Sequence, residues 1–178
     1  MKLYEYVDES GQQTAGKYFV VSVMVTRGSL TRKLLGIEKL SKKRNFKWQG
    51  SNYQYRRNYI ERLARLEGFA AYYSEFSKRK DFMVMTALTA ASAIREEGSK
   101  KTEVYVDGLR RSEYHKFKKL MKPTATGVYI HGVRKDENNP HIRVPDALCG
   151  LISDAAEGND WSINMVARLK RKGLLKEV

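Results

Sequence analysis

Leu3-Tyr4-Glu5-Tyr6-Val7-Asp8-Glu9-Ser10-Gly11 opens the chain, and Tyr105-Val106-Asp107-Gly108 repeats its central tripeptide much later. Both stretches alternate and are rich in β-formers, and both run into turn residues, so both read as strands with the same ending. Alternate residues of a strand share a face, which sets Asp8 with Tyr6 and Asp107 with Tyr105. If the two strands are parallel neighbours about 4.8 Å apart, the carboxylates adjoin at the strands' carboxyl ends, where open α/β sheets place ligands.

Working outward, Tyr18 to Thr26 reads as a second strand behind a turn-rich loop, which makes a hairpin. Ser29 is a helix cap for a segment running to Arg44, with Leu30, Leu34, Ile37 and Leu40 on one stripe, and a second helix fits Tyr53 to Leu66. Phe69 to Phe76 is a third strand, Lys80 to Glu97 a long helix stopped by Gly98, and Thr102 to Asp107 a fourth strand. A short basic helix from Ser112 to Met121 ends before Pro123, and Val128 to Val133 is a fifth strand. The polar loop Lys135 to Pro140 leads to helices from Pro145 to Glu157 and from Trp161 to Lys172. The order ββ(αα)βαβαβαα predicts an α/β protein with five strands and flanking helices. No repeat, low-complexity tract or linker breaks residues 1–178, so one domain is expected.

Composition narrows the class. The chain is 178 residues, 42% of them apolar and three of them proline, which suits a folded core rather than a disordered tail. The lone cysteine, Cys149, cannot form an internal disulfide, and its place on the Pro145 helix suits a small buried residue. A reducing, cytoplasmic location is expected, because the first residues carry no signal-peptide core and no apolar run is long enough to span a membrane.

The net charge is +14 and unevenly spread. Residues 27–66 hold twelve Lys or Arg against two acids, Glu38 and Glu61, and residues 168–178 hold five against Glu177. The rest is close to neutral. A solvated helical face would be basic in this way, but two acids are too few for i,i+4 pairing, and Phe46, Trp48, Tyr53, Tyr55 and Tyr59 thread the block. Cations for phosphates interleaved with rings for bases predict a nucleic-acid surface in a helical insertion between strands 2 and 3, aided by a basic tail at 168–178. Lys42, Lys43, Arg44, Lys47, Trp48, Arg56 and Arg57 are its candidate contacts.

Two adjoining carboxylates repel unless a divalent cation lies between them, and hard oxygen donors suit Mg²⁺ or Mn²⁺. Asp146 is the third candidate, because Pro145 suits a first helical turn and sets the acid at the helix's open end. Aspartate is also a common turn residue and a common complement to the helix dipole; its repetition on two strands is what favours the metal reading. Glu9 faces away if the strand continues, and is a ligand only if the chain turns there. Ser10 with His131 or His141 makes a weaker nucleophile-and-base reading, since no Gly-x-Ser-x-Gly elbow is present and His115, His131 and His141 have no partner at a defined spacing.

Tyr6-Val7-Asp8-Glu9-Ser10-Gly11, Phe46-Lys47-Trp48 with Gly50-Ser51, the strand-end Asp107 and Val144-Pro145-Asp146-Ala147-Leu148-Cys149-Gly150 together resemble a prokaryotic family, domain of unknown function 3800. Its members typically begin with a Tyr-x-Asp-Glu-Ser-Gly strand and end with a Leu-Gln-x-Ala-Asp-Leu-like helix start, and the family is similar to the ribonuclease-H-like superfamily. The resemblance covers nearly the whole chain. It implies a mixed sheet with acids on the first strand, the fourth strand and the last helix. Arg143-Val144-Pro145 departs from the usual Gln and Ala, and the first long helix offers only Asp81, Glu96 and Glu97 as a fourth carboxylate. The expectation is a nuclease using one or two Mg²⁺ or Mn²⁺ ions at Asp8, Asp107 and Asp146, with Glu9 secondary, on RNA, DNA or a hybrid. The competing expectation is a catalytically inactive nucleic-acid-binding module on the same fold, with salt-dependent binding and no metal requirement.

Overall fold

The computed structural model describes residues 2–11, 18–77, 81–122, 127–134 and 139–178. Most of the loop after Gly11, the Lys80 start of the long helix, Pro123 and most of the polar loop from Lys135 lie outside them. The elements in chain order are β1 (Leu3–Ser10), β2 (Tyr18–Thr26), α1 (Thr31–Leu40), α2 (Tyr53–Leu63), β3 (Phe69–Ser77), α3 (Phe82–Glu97), β4 (Thr102–Asp107), α4 (Tyr114–Met121), β5 (Val128–Val133), α5 (Arg143–Ala156), α6 (Asp160–Arg171) and β6 (Leu175–Glu177). A single 3₁₀ turn, Arg111–Glu113, leads into α4.

The sheet runs β5-β4-β1-β2-β3-β6, six strands rather than five. β1 pairs antiparallel with β2 and β2 with β3, whereas β1–β4, β4–β5 and β3–β6 are parallel. The sixth strand is three residues long and two of them are charged, so it carries no period that a sequence can display. Its existence depends on the free edge of β3, which supplies the partner backbone. Residues 168–178 are therefore the end of α6 and an edge strand, with Arg168 paired to Glu61, Lys170 to Glu177 and Lys172 donating to the carbonyl of Ala64.

The period-2 pattern divides the sheet residues between two cores. Leu3 and Val7 of β1 join Val21, Val23, Val104 and Val106 beneath α3 and α4. Tyr6, Val20, Met24 and Tyr73 face the helices on the other side, with Leu34, Ile60 and Leu148 among their partners. β2 is buried along almost its whole length, and its apolar run lacks the alternation of a one-sided strand for that reason.

The insertion between β2 and β3 is present, but its aromatics point inward. Phe46 and Tyr59 are fully buried and stack at 4.0 Å, and Trp48 is 6% exposed. These three rings close the α1–α2 side of the core, and Trp48 also reaches the cleft described below. Tyr53 remains exposed. α1 also stops at Leu40, short of Arg44, because Lys42 and Asn45 take positive φ (59° and 48°) and the Glu38 carboxylate accepts the Asn45 N–H at 3.1 Å. Ser29 does not cap α1 at its second or third turn position; its hydroxyl meets Thr31 instead. α2 is capped by Asn52, whose side chain accepts the Tyr55 N–H at 2.9 Å.

Candidate active site

β1 and β4 are parallel neighbours in the register Tyr6–Tyr105 and Val7–Val106, so the next residue along each strand is Asp8 and Asp107. The repeated tripeptide thus brings both carboxylates to one end of the sheet. Asp146 comes to the same place from the first turn of α5, which packs against β1 and β2. Cys149, one turn further, is buried, and its thiol approaches the carbonyl of Asp8 at 3.3 Å, pinning helix to strand.

Asp8, Asp107 and Asp146 line one cleft of about 490 Å³. Burial, together with the charges of Asp146 and Asp107, pushes the Asp8 carboxyl well above the usual carboxylate range. Asp146 is fixed in place by the Trp48 N–H, which donates to its Oδ2 at 2.8 Å. Trp48 itself lies flat against Gly150, where a Cβ would come within 2.1 Å of the indole ring. Among the described residues no three His, Cys, Asp or Glu side chains form a ready-made metal-ion cluster.

Glu9 continues β1 and its side chain turns to the opposite face, where the Thr86 hydroxyl of α3 donates to it at 2.5 Å. It still lines the rim of the cleft, and with Asp107 it also lines a second cavity of about 480 Å³ below α3 and α4. Of the insertion residues singled out in the sequence, Trp48 and Arg56 line the cleft. Lys42, Lys43, Arg44, Lys47 and Arg57 do not. Lys42, Arg44 and Arg57 are exposed, and Arg57 lies over the rings of Tyr53 and Trp161 at 5.5 and 5.6 Å.

The sequence reading missed Asp154, Ser153 and Glu157, which line the cleft from the far end of α5. The signal was there: Asp146, Gly150 and Asp154 recur every fourth residue and so form one stripe of a helix. The histidines take other roles. His131 pairs with Glu103, and His141 accepts the Leu30 N–H at 3.1 Å, so neither serves Ser10.

The six-stranded mixed sheet with helices on both faces and acids at its carboxyl end is a ribonuclease-H-like fold. Two solved structures are similar to it. One is the ribonuclease HII of the PCNA:RNase HII complex from Archaeoglobus fulgidus, with a TM-score of 0.61, 14% identity, and 96% of this chain and 78% of that chain covered. The other is ribonuclease H2 from Pyrococcus horikoshii OT3, with a TM-score of 0.60, 14% identity, and 96% and 77% covered. At that identity the likeness carries the fold. No protein-family model matches the chain, and no curated protein matches it.

Proposed function

We propose that the chain is a metal-dependent nuclease hydrolysing nucleic-acid phosphodiester bonds, in a family resembling domain of unknown function 3800. The observation that carries this reading is the cleft at the carboxyl end of the sheet, where Asp8, Asp107 and Asp146 converge and burial, reinforced by repulsion from Asp146 and Asp107, raises the Asp8 carboxyl. The donor set is all carboxylate oxygen, which suits Mg²⁺ or Mn²⁺, and relief of that repulsion is what one or two such ions would provide at these three residues. A bound ion would supply charge neutralisation at the scissile phosphate and at the attacking water. The chain's own part is to aim the acids: parallel register sets Asp8 beside Asp107, and the Trp48 N–H holds Asp146 across the cleft. Glu9, held by Thr86, is a rim residue beside them. The exposed cations Lys42, Arg44 and Arg57 would attract the polyanion electrostatically.

The test is cleavage of labelled RNA, DNA and hybrid in Mg²⁺ or Mn²⁺. Asp8→Asn and Asp107→Asn are expected to lower kcat by about 10²-fold or more, while Asp8→Asn melts at the same or a higher temperature because a repelling buried charge is gone. Cleavage that survives both substitutions overturns the proposal. A second reading is an inactive nucleic-acid-binding module, which the exposed cations Lys42, Arg44 and Arg57 would serve equally; that reading predicts salt-dependent binding without turnover in either metal.

A further inference from the structure

The charged residues of the cleft lining are acidic with a single exception. Asp8, Glu9, Asp107, Asp146, Asp154 and Glu157 all contribute, and Arg56 is the one Lys or Arg among the described residues that line it. Arg56 belongs to α2, so the basic insertion delivers one cation into the site itself, separate from its exposed surface charges.

The Arg56 guanidinium is held in place before any ligand arrives. Its Nε donates to the Trp48 carbonyl at 3.0 Å, one Nη1 hydrogen reaches Asp154 at 3.4 Å, and the group lies 4.9 Å from the centre of the Trp48 ring. A guanidinium has five N–H donors in a rigid fork, and the other three meet no protein acceptor among the described residues. The Asp154 contact is longer than the usual 2.7–2.9 Å of a charge-assisted bond, and both side chains are about 30% exposed or less, so it leaves the fork open to a better acceptor. One residue, Trp48, thereby fixes both sides of the cleft: its N–H holds the acid Asp146 and its carbonyl holds the cation Arg56.

We propose that Arg56 is the phosphate anchor of the cleft, gripping a backbone phosphate of the nucleic-acid strand beside the carboxylates, and that Trp48 is the positioning residue for both. This rests on the nucleic-acid reading above and names the residue that executes it. A planar fork suits two phosphate oxygens at once, which a lysine ammonium cannot match. The competing role for Arg56 is a staple that ties α2 to α5 through Asp154.

The two roles separate in a set of three variants, Arg56→Ala, Arg56→Lys and Asp154→Asn, each first checked for folding by thermal melting. Binding of short fluorescent single strands and RNA–DNA hybrids is followed by anisotropy in EDTA, and KM and kcat are followed in Mn²⁺. As an anchor, Arg56→Ala weakens binding and raises KM by about tenfold or more, with kcat falling less. Arg56→Lys keeps the charge and the fold but recovers only part of the affinity, and Asp154→Asn binds as well as the parent chain or better, because the fork is released. Equal losses in Asp154→Asn and Arg56→Ala, or a parent chain that cleaves with a KM indifferent to Arg56, overturn the anchor and leave the nuclease reading standing. Arg56-dependent binding with no cleavage by the parent chain supports the anchor and overturns the nuclease reading alone. Failure to bind any of these nucleic acids overturns both.

Discussion

The imidazole of His141 is 6% exposed, stacks on Tyr6 at 4.7 Å and accepts the Leu30 N–H through Nε2, with Asn139 Oδ1 3.3 Å from Nδ1. That arrangement needs the neutral ring, and burial lowers its pKa to about 4. The unfolded chain therefore binds the proton first as pH falls below the ordinary histidine value, so the stability from this site is complete above about pH 6.5 and is lost toward pH 4. Glu5 and Asp8 act with the opposite sign, since burial raises both carboxyls and the folded state takes up protons more readily there. The histidine's share is isolated by subtracting the pH profile of His141→Gln from that of the parent chain. The parent chain's advantage over the variant is expected to shrink by roughly 2–3 kcal/mol in denaturant unfolding as pH falls from 6.5 to 4; a flat difference would mean that the buried neutral ring contributes nothing. None of this was visible in the sequence, where His141 was one of three histidines without a spacing. Its partner, the Leu30 amide, lies 111 residues away. Arg143 has the same character: it departs from the resembled family's glutamine, yet it is fully buried, with Nε on Glu38 Oε1 at 2.5 Å across the α1–α5 junction. An isolated charge there would be costly, and only the fold supplies its partner.

At the scale of elements, α5 carries the third acid, and Gly150 decides how closely the insertion can approach it. Gly→Ala within a helix ordinarily stabilises, by about 0.5–1 kcal/mol. Here the new methyl would sit 2.1 Å from Trp48 ring carbons that are locked between α5 and Arg56, so the sign reverses. Gly150→Ala is expected to destabilise by about 1–3 kcal/mol and to impair activity as well, because Trp48 holds Asp146 and Arg56. Thermal melting with a parallel activity assay checks this, and a higher melting temperature would show that Trp48 moves aside freely. The strands at this scale were legible because their period is short and local; the identical endings of β1 and β4 needed only parallel adjacency to become a pair of carboxylates. The insertion was legible as two helices and misleading in its aromatics. Rings at Phe46, Trp48 and Tyr59 follow helical and loop spacings that suit either a nucleic-acid surface or a core, and only the presence of α5 beneath them makes them core.

For the whole molecule, the two cores on either side of the sheet are closed at one edge by the last residues described. Leu175 is 1% exposed, the Val178 N–H donates to the Tyr73 carbonyl at 2.9 Å, and the Ser74 hydroxyl donates to the Val178 carbonyl at 2.5 Å. Ending the chain after Gly173 removes the buried leucine, worth about 2 kcal/mol, and leaves β3 as a bare edge bearing Tyr72 and Tyr73. Such a chain is expected to melt at a lower temperature and to self-associate in light scattering, with the cleft at Asp8, Asp107 and Asp146 otherwise intact. Unchanged melting would mean that β6 is an ornament. The charge balance also resolves at this scale. Arg27 pairs with Glu97, Arg56 with Asp154, Arg168 with Glu61 and Lys170 with Glu177; each pair nets zero, so the +14 excess resides in the cations left over, among them the exposed Lys42, Arg44 and Arg57 of the insertion.

Alternation, turn residues and a repeated Tyr-Val-Asp are local properties, and from them the sequence by itself determined the order of the first five strands and their helices, and two strands with the same Asp ending ahead of a helix bearing Asp146. The tertiary structure alone decided which face each aromatic took, that a three-residue segment became a strand, and that Asp154 and Arg56 entered the cleft. Those outcomes depend on partners far apart in the chain. Burial, edge pairing and the aim of a long side chain are set by whatever surface the rest of the molecule presents, and that surface exists only once the chain has folded.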